Sequence, residues 1–244
     1  MRFSPSSRAR LTTHDLGRFP GSGLFDRIGR AVCEAGCLPR KELYEAWEVA
    51  RRARRLFRGG RVIDIGAGHG LLAQMLLLLD DTSPGAVAVD VAVPASAARV
   101  HDALVRAWPR LAGRVRWTGA MPADVTVGAG DIVVSCHACG ALTDEVIDFA
   151  LARRAHLAVL PCCHDIDTCD VGDLTGWMDP ALAIDATRVA RLRAAGYRVR
   201  TQSIPAEITP KNRLILGTGL FSTDIHSSGT GVPGRAGQTP VPDL

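Results

Sequence analysis

Residues 62–70 read VIDIGAGHG, a short apolar run that ends in three glycines at alternate positions. A run of this kind is typical of a buried strand that leads directly into a turn. Because glycines carry no side chain, their backbone amides can approach a bound ligand closely. The stretch therefore predicts a strand, a loop that cradles a ligand, and the start of a helix.

The residues after this loop disfavour two common nucleotide-binding motifs. Leu71 stands where the dinucleotide fingerprint G-x-G-x-x-G takes Gly or Ala. A P-loop would need Gly-Lys followed by Ser or Thr, and no lysine lies near the loop. The loop is therefore expected to hold a different ligand.

From Arg61 onward, short apolar runs alternate with segments of helical periodicity. Continuous runs such as 86–89 and 131–134 indicate strands that are buried on both faces, as in a parallel sheet covered by helices. The fold class predicted is α/β, a doubly wound, mostly parallel seven-stranded sheet whose last strand is antiparallel because only a short turn precedes it. The predicted strands are 61–65, 86–91, 114–118, 131–136, 156–161, 197–204 and 213–220, with helices at 70–79, 95–107, 143–154 and 187–195.

The two ends of the chain lack the apolar periodicity of this region. Residues 1–22, rich in Ser, Arg, Thr, Gly and Pro, are predicted to form a disordered basic tail, and residues 222–244 a second disordered tail. Residues 23–58 are predicted to form amphipathic helices that pack against the sheet or cover the ligand. The main domain is expected to span residues 59–221.

The net charge is +4, and the arginines are concentrated before residue 62. A basic flank of this kind indicates an anionic partner such as RNA. The solvated face of a helix would explain Arg51, Arg52, Arg54 and Arg55 equally well. Both interpretations stay open.

The composition favours a soluble, cytoplasmic protein. Nothing in the chain approaches the roughly 18 to 20 consecutive apolar residues of a membrane span, and no signal-peptide core follows the N-terminal arginines. The seven cysteines are an odd number in a chain long enough to form its own core. Reduced thiols, rather than structural disulfides, are therefore expected.

Acidic residues flank the glycine loop in a recognisable order. Asp64 lies within the first strand, and Asp90 ends the next one. Together with G-x-G-x-G, this order resembles class I S-adenosylmethionine-dependent methyltransferases. The resemblance implies that the cofactor contacts Asp64 and that Asp90 accepts hydrogen bonds from its ribose. It also assigns to the cofactor site Gly66, Ala67, Gly68, Gly70, Val91, Ala120, Met121 and Cys136.

Cysteines and histidines follow two further strands. The fourth strand ends in SCHACG (135–140) and the fifth in PCCH (161–164). These strands are neighbours in the expected fold, about 4.8 Å apart. Their ends should therefore bring His137, Cys139, Cys162, Cys163 and His164 around one mouth.

Three interpretations of this cluster compete. In the first, His137 or His164 acts as general base or orients the nucleophile beside Cys162 and Cys163. In the second, the thiols and imidazoles bind zinc, although paired zinc knuckles are absent and the adjacent Cys162 and Cys163 make joint ligation awkward. In the third, these are small buried residues that close the sheet. The site predicted is catalytic, formed by His137, Cys162, Cys163 and His164, without a metal ligand.

The HACG and PCCH segments, with Thr143-Asp144 between them, resemble the methyltransferase branch that includes tRNA 2′-O-methyltransferases and uncharacterised methyltransferase-domain proteins. The resemblance covers residues 60–220 and lacks the tRNA enzymes' N-terminal zinc finger, since Cys33 and Cys37 have no matching ligands nearby. It implies an RNA or small-molecule acceptor. The alternative is a non-catalytic module that binds RNA or protein on the same fold.

Overall fold

The computed structural model describes residues 3–119 and 125–219 of the chain. They hold a seven-stranded sheet of order β3-β2-β1-β4-β5-β7-β6. Its strands are β1 (Val62–Ile65), β2 (Ala86–Val89), β3 (Val115–Thr118), β4 (Ile132–Ser135), β5 (His156–Val159), β6 (Arg198–Ser203) and β7 (Arg213–Thr218).

Strand directions follow the prediction. The pairs joining β3, β2, β1, β4 and β5 are all parallel, whereas β7 runs antiparallel to both β5 and β6. The six-residue strands β6 and β7 form a hairpin that inserts its second strand beside β5. The predicted fold class is confirmed.

Helices cover both faces of the sheet. They are α1 (Leu24–Ala35), α2 (Arg40–Leu56), α3 (Leu71–Leu79), α4 (Ala97–Ala107), α5 (Ala141–Arg153) and α6 (Pro180–Ala194). Among the described residues, none of these helices is long and apolar enough to cross a membrane.

Strand β1 shows why the apolar runs are continuous. Its residues alternate between two cores: Val62 packs with the core of α1 to α4, and Ile63 and Ile65 pack with that of α5 and α6. All four residues of the strand are buried. A strand covered on both sides has no polar face, so it reads as an unbroken apolar run.

Helix α6 begins earlier than the sequence prediction of 187. Pro180 occupies its first turn, and the Asp179 carboxylate accepts a hydrogen bond from the Leu182 amide at 3.0 Å. An acidic N-cap followed by proline is a helix-start signal. Residues 180–186 contain a single polar residue, Asp185, and so show no amphipathic period, which is why the predicted boundary was wrong by about two turns.

The prediction of a disordered tail over residues 1–22 does not hold for residues 3–22. Leu11 and Phe19 are buried, and Thr13–Arg18 forms a 3-10 helix. The Phe19 ring lies so close to Gly29 in α1 that a Cβ there would come within 2.4 Å of it. Two buried apolar side chains hold this polar stretch in place.

Arg54 in α2 contacts the end of α3. It is buried and does not belong to the solvated face of a helix, which was one of the two interpretations offered by the sequence. Its guanidinium is 2% exposed, donates to the Leu76 carbonyl at 3.0 Å and to Ser83 Oγ at 2.7 Å, and lies 3.3 Å from Asp80 Oδ2. Arg51 and Arg52 are also engaged, since both pair with Glu48. Within this group, Arg55 is the exposed arginine.

We expect Arg54→Ala to lower the free energy of unfolding by about 3 kcal/mol, because it removes the buried cation beside Asp80 and the donor to the Leu76 carbonyl. Arg55→Ala is the matched control, and its effect should stay within about 0.5 kcal/mol. Urea unfolding followed by circular dichroism measures both. Equal losses for the two variants would contradict a structural role for Arg54.

Candidate active site

The glycine loop between β1 and α3 has a backbone shape that requires glycine. Gly66, Gly68 and Gly70 all have positive φ, between 50° and 67°, a region that side chains make costly. At Gly70, a Cβ would also approach the Trp117 indole to 3.0 Å. The amides of Gly66 and Ala67 both donate to the Val89 carbonyl, at 2.9 and 3.1 Å, which fixes the loop against the end of β2.

Asp64 lies behind this loop and is almost completely buried, at 2% exposure. Its carboxylate accepts a hydrogen bond from the Ala73 amide at 3.1 Å, in the first turn of α3. Burial, opposed by that hydrogen bond and reinforced by the charge of Asp90, raises the pKa of Asp64 to about 7. The carboxyl group is therefore shared between its two protonation states near neutral pH.

Asp90 follows β2 directly and faces the loop. One carboxylate oxygen accepts the Gly68 amide at 2.8 Å, and the other accepts the Ala92 amide at 2.9 Å. These two bonds fix the orientation of the carboxylate. A carboxylate offers about four acceptor positions, so two stay available for a ligand.

A cavity of about 450 Å³ opens over the loop at the carboxyl ends of the strands. Six predicted site residues line it: Gly66, Ala67, Gly68, Asp90, Val91 and His137. A smaller hollow behind the loop reaches Asp64 and Cys136. The thiol of Cys136 is buried, which raises its pKa.

The cavity also has residues that the sequence did not predict. Its wall includes Glu42 from the first turn of α2 and His69 from the glycine loop. Four apolar residues lie on the same wall: Ile65, Val89, Pro94 and Leu142. Glu42 Oε2 is 3.9 Å from His69 Nδ1, and His69 Nε2 lies 2.8 Å from Ser96 Oγ. Burial, and next the charge of Glu45, raises the pKa of Glu42 to about 6. Helix α2 thus packs against the core and also meets the ligand space.

His137 reaches the same cavity from the turn after β4. Its ring is exposed at the mouth, while partial desolvation by the cleft walls lowers its pKa. The imidazole is therefore neutral near pH 7, with a lone pair that can accept a proton.

The remaining residues of the predicted mouth separate into two groups. The sulfur atoms of Cys139, Cys162 and Cys163 lie within 4.8 Å of one another. The ring of His164 is instead buried at 2% exposure, with Nε2 only 2.8 Å from Asp185 Oδ1 in α6. Asp185 also accepts Arg213 Nε at 2.6 Å.

The predicted gathering therefore fails for His164. Its ring is hydrogen-bonded to Asp185 of α6, and His164 is not among the residues that line the cavity. Ala120 and Met121, the predicted adenine contacts, lie outside the described residues.

The open sheet with a reversed strand beside β5, the glycine loop after β1 and the acid after β2 define a Rossmann-like fold of the methyltransferase type. A family model described as a methyltransferase domain matches residues 42–167. The chain belongs to this family. The methyltransferase class predicted from the sequence is confirmed.

Solved structures and a curated relative are similar to the chain at low identity. An O-methyltransferase family protein from Burkholderia thailandensis matches with a TM-score of 0.50 and 19% identity, over 84% of this chain and 62% of that one. The S-adenosylmethionine-dependent methyltransferase SibL matches with a TM-score of 0.48 and 17% identity, over 87% and 65%. A glutathione S-transferase C-terminal domain-containing protein homolog from Drosophila melanogaster is 27% identical to the chain. The match covers 38% of this chain and 23% of that relative's length.

We expect Asp64→Asn to change how stability depends on pH. Because folding raises the pKa of Asp64 from 3.8 to about 7, the folded protein keeps a proton that the unfolded chain releases between those values. This contribution to stability is present at low pH and is lost as pH rises towards 7. The asparagine side chain of the variant cannot titrate. As pH increases, the stability of the variant relative to wild type should therefore increase by up to about 1.4 kcal/mol per pH unit.

Urea unfolding of both proteins at about pH 5, 6 and 7 measures this difference. Glu42 titrates in the same range, but it is common to both proteins and cancels. A difference that stays constant with pH would contradict the raised pKa of Asp64.

Proposed function

We propose that the protein transfers the methyl group of S-adenosylmethionine to an RNA or small-molecule acceptor. The observation that carries this proposal is a single cavity in which the glycine loop, the Asp90 carboxylate and the His137 imidazole face the same space. Its volume of about 450 Å³ suits a ligand of nucleoside size. Family membership supplies the reaction class.

The cofactor would lie along the loop and β2. The two acceptor positions left on Asp90 suit the paired hydroxyls of a ribose, and the apolar Val91 next to it is 79% exposed and available for contact. Asp64 and Glu42, which line the hollow behind the loop, would face the methionine part of the cofactor. Their carboxylates would counter the positive charges of the amino group and the sulfonium, because a nearby cation favours the ionised form.

His137 is placed to assist the transfer. When bound, S-adenosylmethionine would supply the methyl group to the acceptor atom, and its sulfur would keep the electron pair of the bond that breaks. The acceptor's proton passes to the neutral imidazole. Alignment supplies most of the rate in such a displacement, so His137 contributes a part of it.

The charges around the mouth favour an anionic acceptor. Arg10 and Arg99 are exposed, and neither guanidinium has an ion-pair partner among residues 3–119 and 125–219. Burial, and next the charges of these two arginines, lowers the pKa of His69 on the cavity wall. A phosphate-bearing acceptor, as RNA is, would find in Arg10 and Arg99 two cations available for pairing near this wall of the cavity. The HACG and PCCH motifs support the same branch of enzymes.

A non-catalytic module that uses its basic helices receives less support. Of the arginines in residues 51–55, Arg51 and Arg52 are paired with Glu48 and Arg54 is buried. Substituting Arg54 would destabilise the packing of α2 against α3 and would not probe a binding face.

We expect the protein to bind S-adenosylhomocysteine, and Asp90→Ala to weaken this binding about 10- to 100-fold through the loss of charged hydrogen bonds. Isothermal titration calorimetry measures the affinity. Asp102→Ala removes an exposed carboxylate on α4 and serves as the control. Absence of binding by the wild type, or equal binding by the Asp90 variant, would overturn the cofactor assignment.

Methyl transfer itself is tested with S-adenosylmethionine that carries a labelled methyl group, incubated with separated RNA and metabolite pools. We expect label in one of these pools, and a turnover about 100-fold lower for His137→Gln at unchanged S-adenosylhomocysteine affinity. His14→Gln, an exposed histidine outside the cleft, should behave as wild type. Label found only in a protein pool would contradict the acceptor class.

A further inference from the structure

Three thiols meet where β4 and β5 end, and the proposed methyl transfer does not need them. Cys139 lies four residues beyond β4, while Cys162 and Cys163 follow Pro161 beyond β5. Cys139 Sγ is 2.8 Å from Cys162 Sγ, and Cys162 Sγ is 3.8 Å from Cys163 Sγ. The cysteines are free, and the shorter separation exceeds the roughly 2.05 Å of a disulfide.

We propose that Cys139, Cys162 and Cys163 form a binding site for a thiophilic divalent cation, with zinc as its occupant. Four-coordinate zinc places its thiolate sulfurs about 3.8 Å apart, given a Zn–S distance of about 2.3 Å. The Cys162–Cys163 separation already has this value. The exposed Cys139 has to move outward by about 1 Å to reach the same spacing.

The donor set determines the class of ion. All three donors are sulfur, so hard cations such as Mg²⁺ and Ca²⁺, which bind oxygen, do not fit. Zinc binds cysteine as thiolate, so occupation of the site releases the protons of the thiols, and the positive charge of the ion offsets the repulsion between the thiolates that form.

A third thiol favours a cation over a simple disulfide, because a disulfide uses two. Three protein ligands also leave one position of a tetrahedral ion open to water or to another molecule. The site lies two residues along the chain from His137. It goes beyond the proposed function, since cation binding requires neither cofactor nor acceptor.

Zinc content of the protein, purified with a phosphine reductant and without chelators, tests the proposal. We expect about one zinc per chain by mass spectrometry, and Zn²⁺ affinity about tenfold or more weaker in Cys139→Ser and in Cys163→Ser. Both side chains are exposed, so these variants should fold. Cys33→Ala, a buried cysteine in α1, should keep the wild-type affinity.

Cobalt substitution gives a second readout, because thiolate ligands produce an intense near-ultraviolet charge-transfer band. The band should weaken in each serine variant and persist in Cys33→Ala. The site would be overturned if the wild type contained only trace zinc and bound Zn²⁺ no more tightly than the serine variants do. So would a Cys139–Cys162 disulfide that survives the reductant. None of these results depends on S-adenosylhomocysteine binding, so failure of the zinc site is distinguishable from failure of the proposed function.

Discussion

The hydrogen bond from the Ala73 amide to the buried Asp64 carboxylate is the interaction on which the cleft depends. It joins β1 to the first turn of α3, so both ends of the glycine loop are fixed. The Val89 carbonyl and Asp90 then hold the loop's own amides. A carboxylate in a core is costly unless it is paired. The protein accepts that cost where the carboxylate fixes the glycine loop between β1 and α3.

Much of the fold could be read from the sequence because the information is local. Continuous apolar runs identified buried strands such as β2 and β4, and the short connection before β7 predicted its reversal. The errors occurred where tertiary contacts override composition. Residues 3–22 look polar, yet Leu11 and Phe19 anchor them. The start of α6 depends on the Asp179 cap within a stretch without clear periodicity.

The candidate site also has one part that follows from local sequence and another that depends on tertiary contacts. Gly66, Gly68 and Asp90, which were predicted to bind the cofactor from their order in the sequence, line the cavity. The acceptor side depends on contacts between distant segments. Glu42 enters from α2, His164 is drawn to Asp185, and the cysteines meet only because β4 and β5 pair. Spacing along the chain made a metal site look implausible, whereas adjacency in space favours one.

The packed N-terminal stretch has a practical consequence for how the catalytic unit is delimited. Leu11 pairs its amide with the Leu38 carbonyl, and the Arg40 amide pairs with the Ala9 carbonyl, immediately before the turn that carries Glu42. The wall of the cleft that carries Glu42 is therefore held by residues 9–11, which lie about thirty residues earlier in the sequence. A fragment trimmed to the sheet and its glycine loop would keep the Rossmann-like scaffold but lose one side of its cleft. The smallest fragment that keeps the whole cleft therefore includes residues 9–11.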